Sequence, residues 1–411
     1  MLKSRKLYSA LVGHLNDKRH TIITGSRQVG KSSLLKKLYK HLQDGHQKVF
    51  FINLENKNIL DAINSDADAI FDFTTETPEK SLLTNTKGLI VYLLIDEIQY
   101  LSNPTRFLKY LYDEYQENVK IVATGSSAFY MDRKFNDSLA GRKRIFHLHP
   151  LSFLEYLDFN NKPALIKELS FINNKKNYKS LLLTQIQGQL HEYLTYGGYP
   201  AVVLEKNKQE KIWLLEELKN SYVKRDMFEA GIEKEEKFYT LLQILADQVG
   251  NMVNKNELSN TLRIDGKTID NYLYVLQKSF HVYLIKPFHK NIRKELTKMP
   301  KLYFNDIGLR NALLNRFETP SLRADKGQLL ENFMFGQFRY VYQTDQIKYW
   351  RTTAGKEIDF VIEESYIQGK AFEVKWNKSQ FNTKRYKEFL QTYAAFSIEC
   401  IDVNNYDLLN I

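Results

Sequence analysis

Along the first third of the chain, short, mainly apolar runs alternate with stretches in which apolar residues recur every few positions. The runs are Ile22-Ile23 within His20–Thr24, then Val49–Leu54, Val91–Ile95 and Lys120–Gly125. Runs this short and this apolar predict strands covered on both faces. After the first of them, Leu34, Leu35, Leu38 and Leu42 fall on one side of a helical wheel, which predicts an amphipathic helix. Strand and helix in alternation predict an α/β fold built on a doubly wound parallel sheet.

The period then changes. From Leu151 to about Ala230 the spacing is helical, broken by an expected loop at Asn173–Asn177 and a tight turn at Gly197-Gly198-Tyr199-Pro200. Helices are predicted over Phe238–Val249 and Asn256–Arg263, and Asp265-Gly266 turns the chain. Ile269, Tyr272, Leu273, Leu276 and Phe280 then give a third helix its buried face. Its other face carries Lys267, Thr268, Asn271, Tyr274, Gln277 and Lys278, residue types that touch bases and phosphates. Val282–Ile285 reads as a strand, followed by a basic hairpin with Lys286, His289, Lys290, Arg293, Lys294, Lys298 and Lys301. Helix–turn–helix plus a basic hairpin predicts a winged helix, a module that serves DNA or protein contacts.

Composition narrows the classes. The 411 residues are 43% hydrophobic and 26% charged, the balance of a globular protein long enough for more than one core. No apolar run approaches the roughly 18 residues that a membrane-spanning helix needs. The basic opening MLKSRKLYSALVGHLNDKRH is broken by His14 and by charge, unlike a secretory leader. A single cysteine, Cys400, excludes an internal disulfide and fits a reducing cytoplasm. The net charge of +11 suits a polyanion such as DNA, but it equally suits lysines solvated over the whole surface.

The chemistry begins at Gly25-Ser26-Arg27-Gln28-Val29-Gly30-Lys31-Ser32-Ser33, which fits G-x-x-x-x-G-K-[ST] between a predicted strand and a predicted helix. Glycines let the backbone close around phosphates with its N–H groups inward, and the helix N-terminus adds partial positive charge. In such a loop Lys31 reaches the β- and γ-phosphates of ATP, and the Ser32 hydroxyl completes the shell of Mg²⁺. Asp96 and Glu97 end a buried strand: the first suits the metal shell, the second a general base that polarises water. Thr124 and Ser126 end the next strand, placed to sense the γ-phosphate.

GSRQVGKSSLL, YLLIDEIQY, VATGSSA, SLAGRKRIFHLHPLSFLEY and YLTYGGYPAVV, in this order, resemble a widespread prokaryotic family of AAA-type ATPases. Its members carry a conserved C-terminal domain of uncharacterised function. The likeness spans nearly the whole chain, Tyr222–Asp226 included, and the stretch from Ser138–Arg142 to Pro150–Phe153 is its more specific mark. It implies an additional-strand P-loop core of AAA+ or switch-ATPase type. Such ATPases often set an arginine on the γ-phosphate, from the same chain or from a neighbouring copy in a homo-oligomer. Arg142 is the first candidate and Arg225 the second, with a simple ion pair to a nearby carboxylate as the alternative for each. His147 and His149 alternate as on one strand face and lack a third ligand for zinc.

Near the C-terminus, Glu331 on a helix, Asp359 inside an apolar strand and Glu373-x-Lys375 on the next strand resemble the PD-(D/E)xK nuclease constellation. The proline of that signature is absent; Glu357-Ile358 stands before Asp359. The resemblance implies that Asp359 and Glu373 bind Mg²⁺, Lys375 steadies the nucleophile and Glu331 orients the metal's water shell. The same four residues equally suit a buried ion-pair network that cuts nothing. The expected order is a P-loop AAA-type ATPase domain (1–150), a helical connector (151–235), a winged helix (236–310) and a restriction-endonuclease-like α/β domain (311–411). The expected protein is a cytoplasmic ATPase, using ATP and Mg²⁺, with DNA as partner and no membrane. Its ATP cycle controls DNA engagement or cleavage; the alternatives are a regulatory switch and a branched-DNA motor, neither of which cuts.

Overall fold

A computed structural model describes residues 3–74, 90–125, 139–174, 178, 180–289, 295, 298–365 and 368–404. Ser126, Ser138, residues 175–177 of the expected loop, and Lys290, Arg293 and Lys294 of the expected hairpin lie outside them. The chain divides into two units, Met1–His149 with Lys278–Phe280, and Pro150–Gln277 with His281–Ile411.

In the first unit, β1 (His20–Thr24), β2 (Lys48–Asn53), β3 (Val91–Asp96), β4 (Val119–Gly125) and β5 (Lys143–His147) form one sheet. Its order is β2-β3-β4-β1-β5, and every pairing is parallel. β4 therefore stands as an additional strand between β1 and β3. β1, β3 and β4 are buried at every position, as central strands of a sheet covered on both faces are. β5 closes one edge and buries only Phe146, with Lys143 and Arg144 guarding the strand. The helix Lys31–Asp44 buries Leu34, Leu35, Leu38 and Leu42, the face the sequence predicts. The helix Pro104–Tyr115 starts on an Asn103 cap, whose Oδ1 accepts the Arg106 N–H at 2.9 Å, and packs Leu108 and Leu111 against Leu93, Ile95 and Ile121.

In the second unit, helices at Phe153–Phe159, Pro163–Asn174, Leu183–Tyr196, Pro200–Leu204 and Lys208–Glu229 fill the stretch of helical spacing. The first begins with a capping box between Ser152 and Glu155. Gly197-Gly198-Tyr199-Pro200 is a packed turn. Gly197 adopts φ 75°, and a Cβ there would lie 2.3 Å from Asp306 Oδ1, while the Gly198 N–H donates to Asp306 Oδ2 at 2.7 Å. Helices Glu235–Asp247, Lys255–Leu262 and Gly266–Lys278 follow, then β6 (Val282–Ile285) and β7 (Lys301–Phe304) in an antiparallel ribbon.

The helix Lys326–Phe338 leads to a second sheet of β8 (Ile347–Arg351), β9 (Glu357–Ser365), β10 (Gln368–Val374) and β11 (Phe396–Ile401). Its order is β11-β10-β9-β8, with β10–β11 parallel and the other pairs antiparallel. The chain after β6 runs beside β8: the Tyr349 N–H donates to the Lys286 carbonyl at 3.1 Å and the Phe288 N–H to the Tyr349 carbonyl at 2.5 Å. One apolar cluster runs from Leu151, Phe153 and Tyr193 through Tyr303 and Phe335 to Phe360 and Phe372. The helices after residue 150, the ribbon and the second sheet thus share a core. Among the described residues no helix is long and apolar enough to cross a membrane.

Candidate functional site

β1 ends at Thr24 and the next helix begins at Lys31, so the turn between them is Gly25–Gly30. Gly30 takes φ 97°, a conformation that side chains resist. A Cβ on Gly25 would lie 2.1 Å from the Leu148 carbonyl oxygen, so only glycine lets the loop pass there. Val29 is buried, Arg27 half-buried and Gln28 exposed; Ser32 and Ser33 open the helix. Lys31 is 5% exposed, and its Nζ donates to the carbonyls of Gly25 at 2.9 Å and Ser26 at 2.7 Å. The ammonium is folded back on its own loop.

Because β1, β4 and β3 are adjacent and parallel, their C-terminal ends lie along one edge, the edge where such sheets bind ligands. Asp96 ends β3 and is buried. The Thr124 hydroxyl, near the end of β4, donates to Asp96 Oδ1 and accepts the Glu97 N–H at 3.0 Å. Glu97 sits at φ 61° and ψ 49°, unusual for a residue with a side chain, and its Oε2 accepts from Gln99 Nε2. Strain of this kind collects at functional sites. Ser32 and Asp96, the expected Mg²⁺ ligands, carry hard oxygen atoms of the kind that ion prefers.

Arg142 Nε donates to Asp113 Oδ1 at 2.7 Å and Arg225 Nε to Glu229 Oε1 at 3.2 Å, so each γ-phosphate candidate is engaged with a carboxylate in this structure. Sequence reasoning missed Arg5. Its buried guanidinium donates through Nη1 to the Val29 carbonyl at 2.7 Å and through Nη2 to the His149 carbonyl at 2.6 Å, tying the loop to the chain beyond β5. Both partners are backbone oxygens, which leave no signature in a sequence.

In the second unit, Glu331, Asp359, Glu373 and Lys375 come together, with two residues that the sequence reading left out of this quartet, Glu357 and Lys301. Asp359 Oδ2 accepts the Val374 N–H at 2.9 Å, and Lys375 Nζ donates to Glu373 Oε1 at 2.5 Å. Lys301, expected among the nucleic-acid-facing cations of the basic hairpin, is buried at the start of β7 instead. Its Nζ lies 2.7 Å from Glu331 Oε1, 2.6 Å from Glu357 Oε1 and 3.2 Å from Asp359 Oδ1. Arg351 takes the other oxygen of Glu357 at 2.8 Å, and the Tyr303 hydroxyl donates to Glu331 Oε1 at 2.6 Å.

Burial pushes the Glu331 carboxyl up to about 7, helped by the charge of Asp359 and opposed by Lys301. Glu373 is likewise pushed up to about 7 by burial and Asp359, against Lys375. Burial would lower the Lys301 ammonium, but Glu331, Tyr303, Asp359 and Glu357 hold it well above its ordinary value. A cavity of about 310 Å³, lined by Gly355, Glu357, Glu373, Arg385 and Tyr386, opens beside the cluster.

The expected pair of Mg²⁺ ligands, Asp359 and Glu373, shares the cluster with Lys301, and Glu373 Oε2 is buried without a hydrogen-bond partner. Both oxygens of Asp359 are engaged, and the partner cation is already a protein ammonium. Among the described residues no group of three or more His, Cys, Asp or Glu is arranged to hold a metal ion.

The expected DNA-facing side of Gly266–Lys278 exposes Lys267, Asn271 and Tyr274, whereas the Thr268 hydroxyl is turned to Asp265 at 2.6 Å. Of the expected hairpin, Lys286 and Lys298 are exposed.

Residues 17–157 match the family model described as "AAA domain". Residues 187–319 and 326–405 each match a "Domain of unknown function", DUF8612 and DUF4143 respectively. An "Uncharacterized protein" of Haemophilus influenzae is 28% identical over 404 residues, covering 93% of this chain and 92% of that protein. "Uncharacterized protein MJ1544" of Methanocaldococcus jannaschii is 26% identical, covering 83% of this chain and 71% of that protein. Among solved structures, the Aeropyrum pernix ORC1 protein in complex with DNA aligns with a TM-score of 0.33 at 11% identity, over 77% of this chain and 94% of that chain. AMPPCP-bound DnaA from Aquifex aeolicus aligns with a TM-score of 0.30 at 14% identity, over 67% of this chain and 89% of that chain. The matched AAA domain, the additional-strand sheet order and the glycine loop make the N-terminal unit a P-loop ATPase domain of AAA type.

Proposed function

We propose that this chain binds and hydrolyses ATP at the Gly25–Ser33 loop, and that the nucleotide cycle controls engagement of DNA by residues 150–411. The observation that carries the first part is the set of contacts in which Thr124 holds Asp96 and the Glu97 backbone at the strand edge next to the loop. Lys31 exchanges the neutral carbonyls of Gly25 and Ser26 for the β- and γ-phosphate oxygens, a stronger, charge-assisted contact. Gly25, Ser26, Arg27, Gln28, Val29, Gly30 and Ser33 wrap the phosphates with backbone N–H groups. Ser32 and Asp96 hold Mg²⁺, which neutralises phosphate charge. Glu97 takes the proton of the attacking water. Arg142, or in second place Arg225, reaches the γ-phosphate by leaving its carboxylate; part-exposed pairs of this kind are weak.

DNA engagement is supported by the exposed Lys267, Asn271 and Tyr274, by Lys286 and Lys298, and by the net charge of +11. For the C-terminal quartet two readings remain: Mg²⁺-dependent cleavage by Asp359, Glu373, Lys375 and Glu331, or binding without cleavage. The Lys301 ammonium on Asp359 favours the second. The test incubates the protein and Mg²⁺ with labelled single-stranded, duplex and branched DNA, with and without ATP. ATP-dependent binding without cleavage is expected; cleavage that is lost in Asp359→Ala would establish the nuclease reading instead.

A further inference from the structure

Lys301 is a strand residue whose side chain is 2% exposed, yet it ends among carboxylates from two other elements. A lysine ammonium has three N–H donors and no acceptor. Here three carboxylate oxygens meet it: Glu331 Oε1 from the helix Lys326–Phe338, and Glu357 Oε1 and Asp359 Oδ1 from β9. Two of these contacts are hydrogen bonds, to Glu357 Oε1 and Asp359 Oδ1, and the third is an ion pair to Glu331 Oε1.

The backbone that presents it is pinned on both sides. Lys301 pairs with Ile285 across the ribbon and bridges to Met252. Val253 N–H donates to the Pro300 carbonyl at 2.8 Å, Leu302 N–H to the Asn251 carbonyl at 3.0 Å, and the Tyr349 hydroxyl to the Met299 carbonyl at 2.5 Å. Tyr303, two residues on and pointing the same way, donates to the same Glu331 oxygen that Lys301 meets. The ribbon thus delivers a cation and a hydroxyl to one carboxyl group. Lys375, the lysine that belongs to the expected constellation, is 26% exposed and engaged with Glu373 instead.

We propose that Lys301 is the resident cation of the acidic cluster and that it closes the cluster to divalent metal. It pairs with Asp359, one of the two expected metal ligands, and with Glu331 and Glu357 beside it. The inference goes beyond the proposed function and does not depend on DNA engagement or on ATP turnover.

The test is Mn²⁺ binding to the nucleotide-free full chain, followed by the paramagnetic resonance signal of unbound Mn²⁺. Wild type and Asp359→Asn should give the same isotherm. Lys301→Ala should gain one equivalent of Mn²⁺, at least about tenfold tighter than any wild-type site in this cluster, once the competing charge is gone. That equivalent should vanish in Lys301→Ala/Asp359→Asn. Lys301→Gln, which keeps two donors for the carboxylates, serves if the alanine variant fails to fold. A wild-type site lost in Asp359→Asn would overturn the proposal. So would folded Lys301 variants that bind no more Mn²⁺ than wild type. Failure of the ATP–DNA reading leaves these isotherms unchanged, so the two can fail separately.

Discussion

Thr124 shows how much a single hydroxyl carries. It donates to Asp96 and accepts from the Glu97 backbone, so it fixes both acids at once. Thr124→Val keeps the shape and removes both bonds. ATP turnover should fall by roughly tenfold to a hundredfold, the usual loss when a supporting partner of a metal ligand is removed, with little change in melting temperature. Lys31→Ala should abolish turnover while the circular dichroism spectrum stays that of wild type; normal turnover would exclude the loop as the ATP site. Residues such as Gly25, Gly30 and Lys31 are legible in the sequence because phosphate binding demands fixed types at fixed spacing. Arg5 is not legible, because it acts on the carbonyls of Val29 and His149, far apart in the chain. Lys301 reads as one more cation in a basic run, and only the packing of β7 against the helix Lys326–Phe338 reveals it as buried.

At the level of elements, β3 announces itself because burial on both faces leaves Val91–Ile95 wholly apolar, whereas β1 and β4 also bury His20, Thr21, Thr24, Lys120 and Thr124. The edge strand β5 is harder: one buried residue in five gives little period, and His149, expected on the same face as His147, lies beyond its end. β8 and β11 escape the sequence reading, since their place depends on pairing with β9 and β10. The start of β1 carries a pH-sensitive device. His20 is buried, its Nε2 lies 3.0 Å from the Leu108 carbonyl, and its ring meets Tyr112 edge-on. Burial lowers its pKa to about 4, the Leu108 carbonyl opposes this, and Lys120 lowers it further. A histidine whose pKa is lower folded than unfolded contributes stability above about 6.5 that is lost as pH falls toward 4. His14, lowered to about 4 mainly by burial, acts in the same direction. Hydrogen-exchange protection of β1 and β4, corrected for intrinsic rates, should therefore fall between pH 6.5 and 4. His20→Gln should flatten part of that fall; an unchanged slope would show that His20 does not titrate as inferred.

At the scale of the whole molecule, the two units have separate chemistry. Met1–His149 holds the loop and its acids, and the second unit holds the exposed helix face, the ribbon and the acidic cluster. The apolar cluster that runs from Leu151 to Ile401 could not be read from local periodicity, because its members are drawn from helices, ribbon and sheet across that whole span. The claim that joins the units is that nucleotide state sets DNA affinity. It is tested most directly by fluorescence anisotropy of a labelled duplex titrated with full-length protein in ATP and in ADP. Glu97→Gln, expected to retain ATP without hydrolysing it, should bind duplex with affinities that differ by about tenfold or more between the two nucleotides, equivalent to about 1.4 kcal/mol. Lys31→Ala should bind equally in both. Equal affinities for Glu97→Gln in ATP and ADP would contradict control of DNA engagement by the nucleotide.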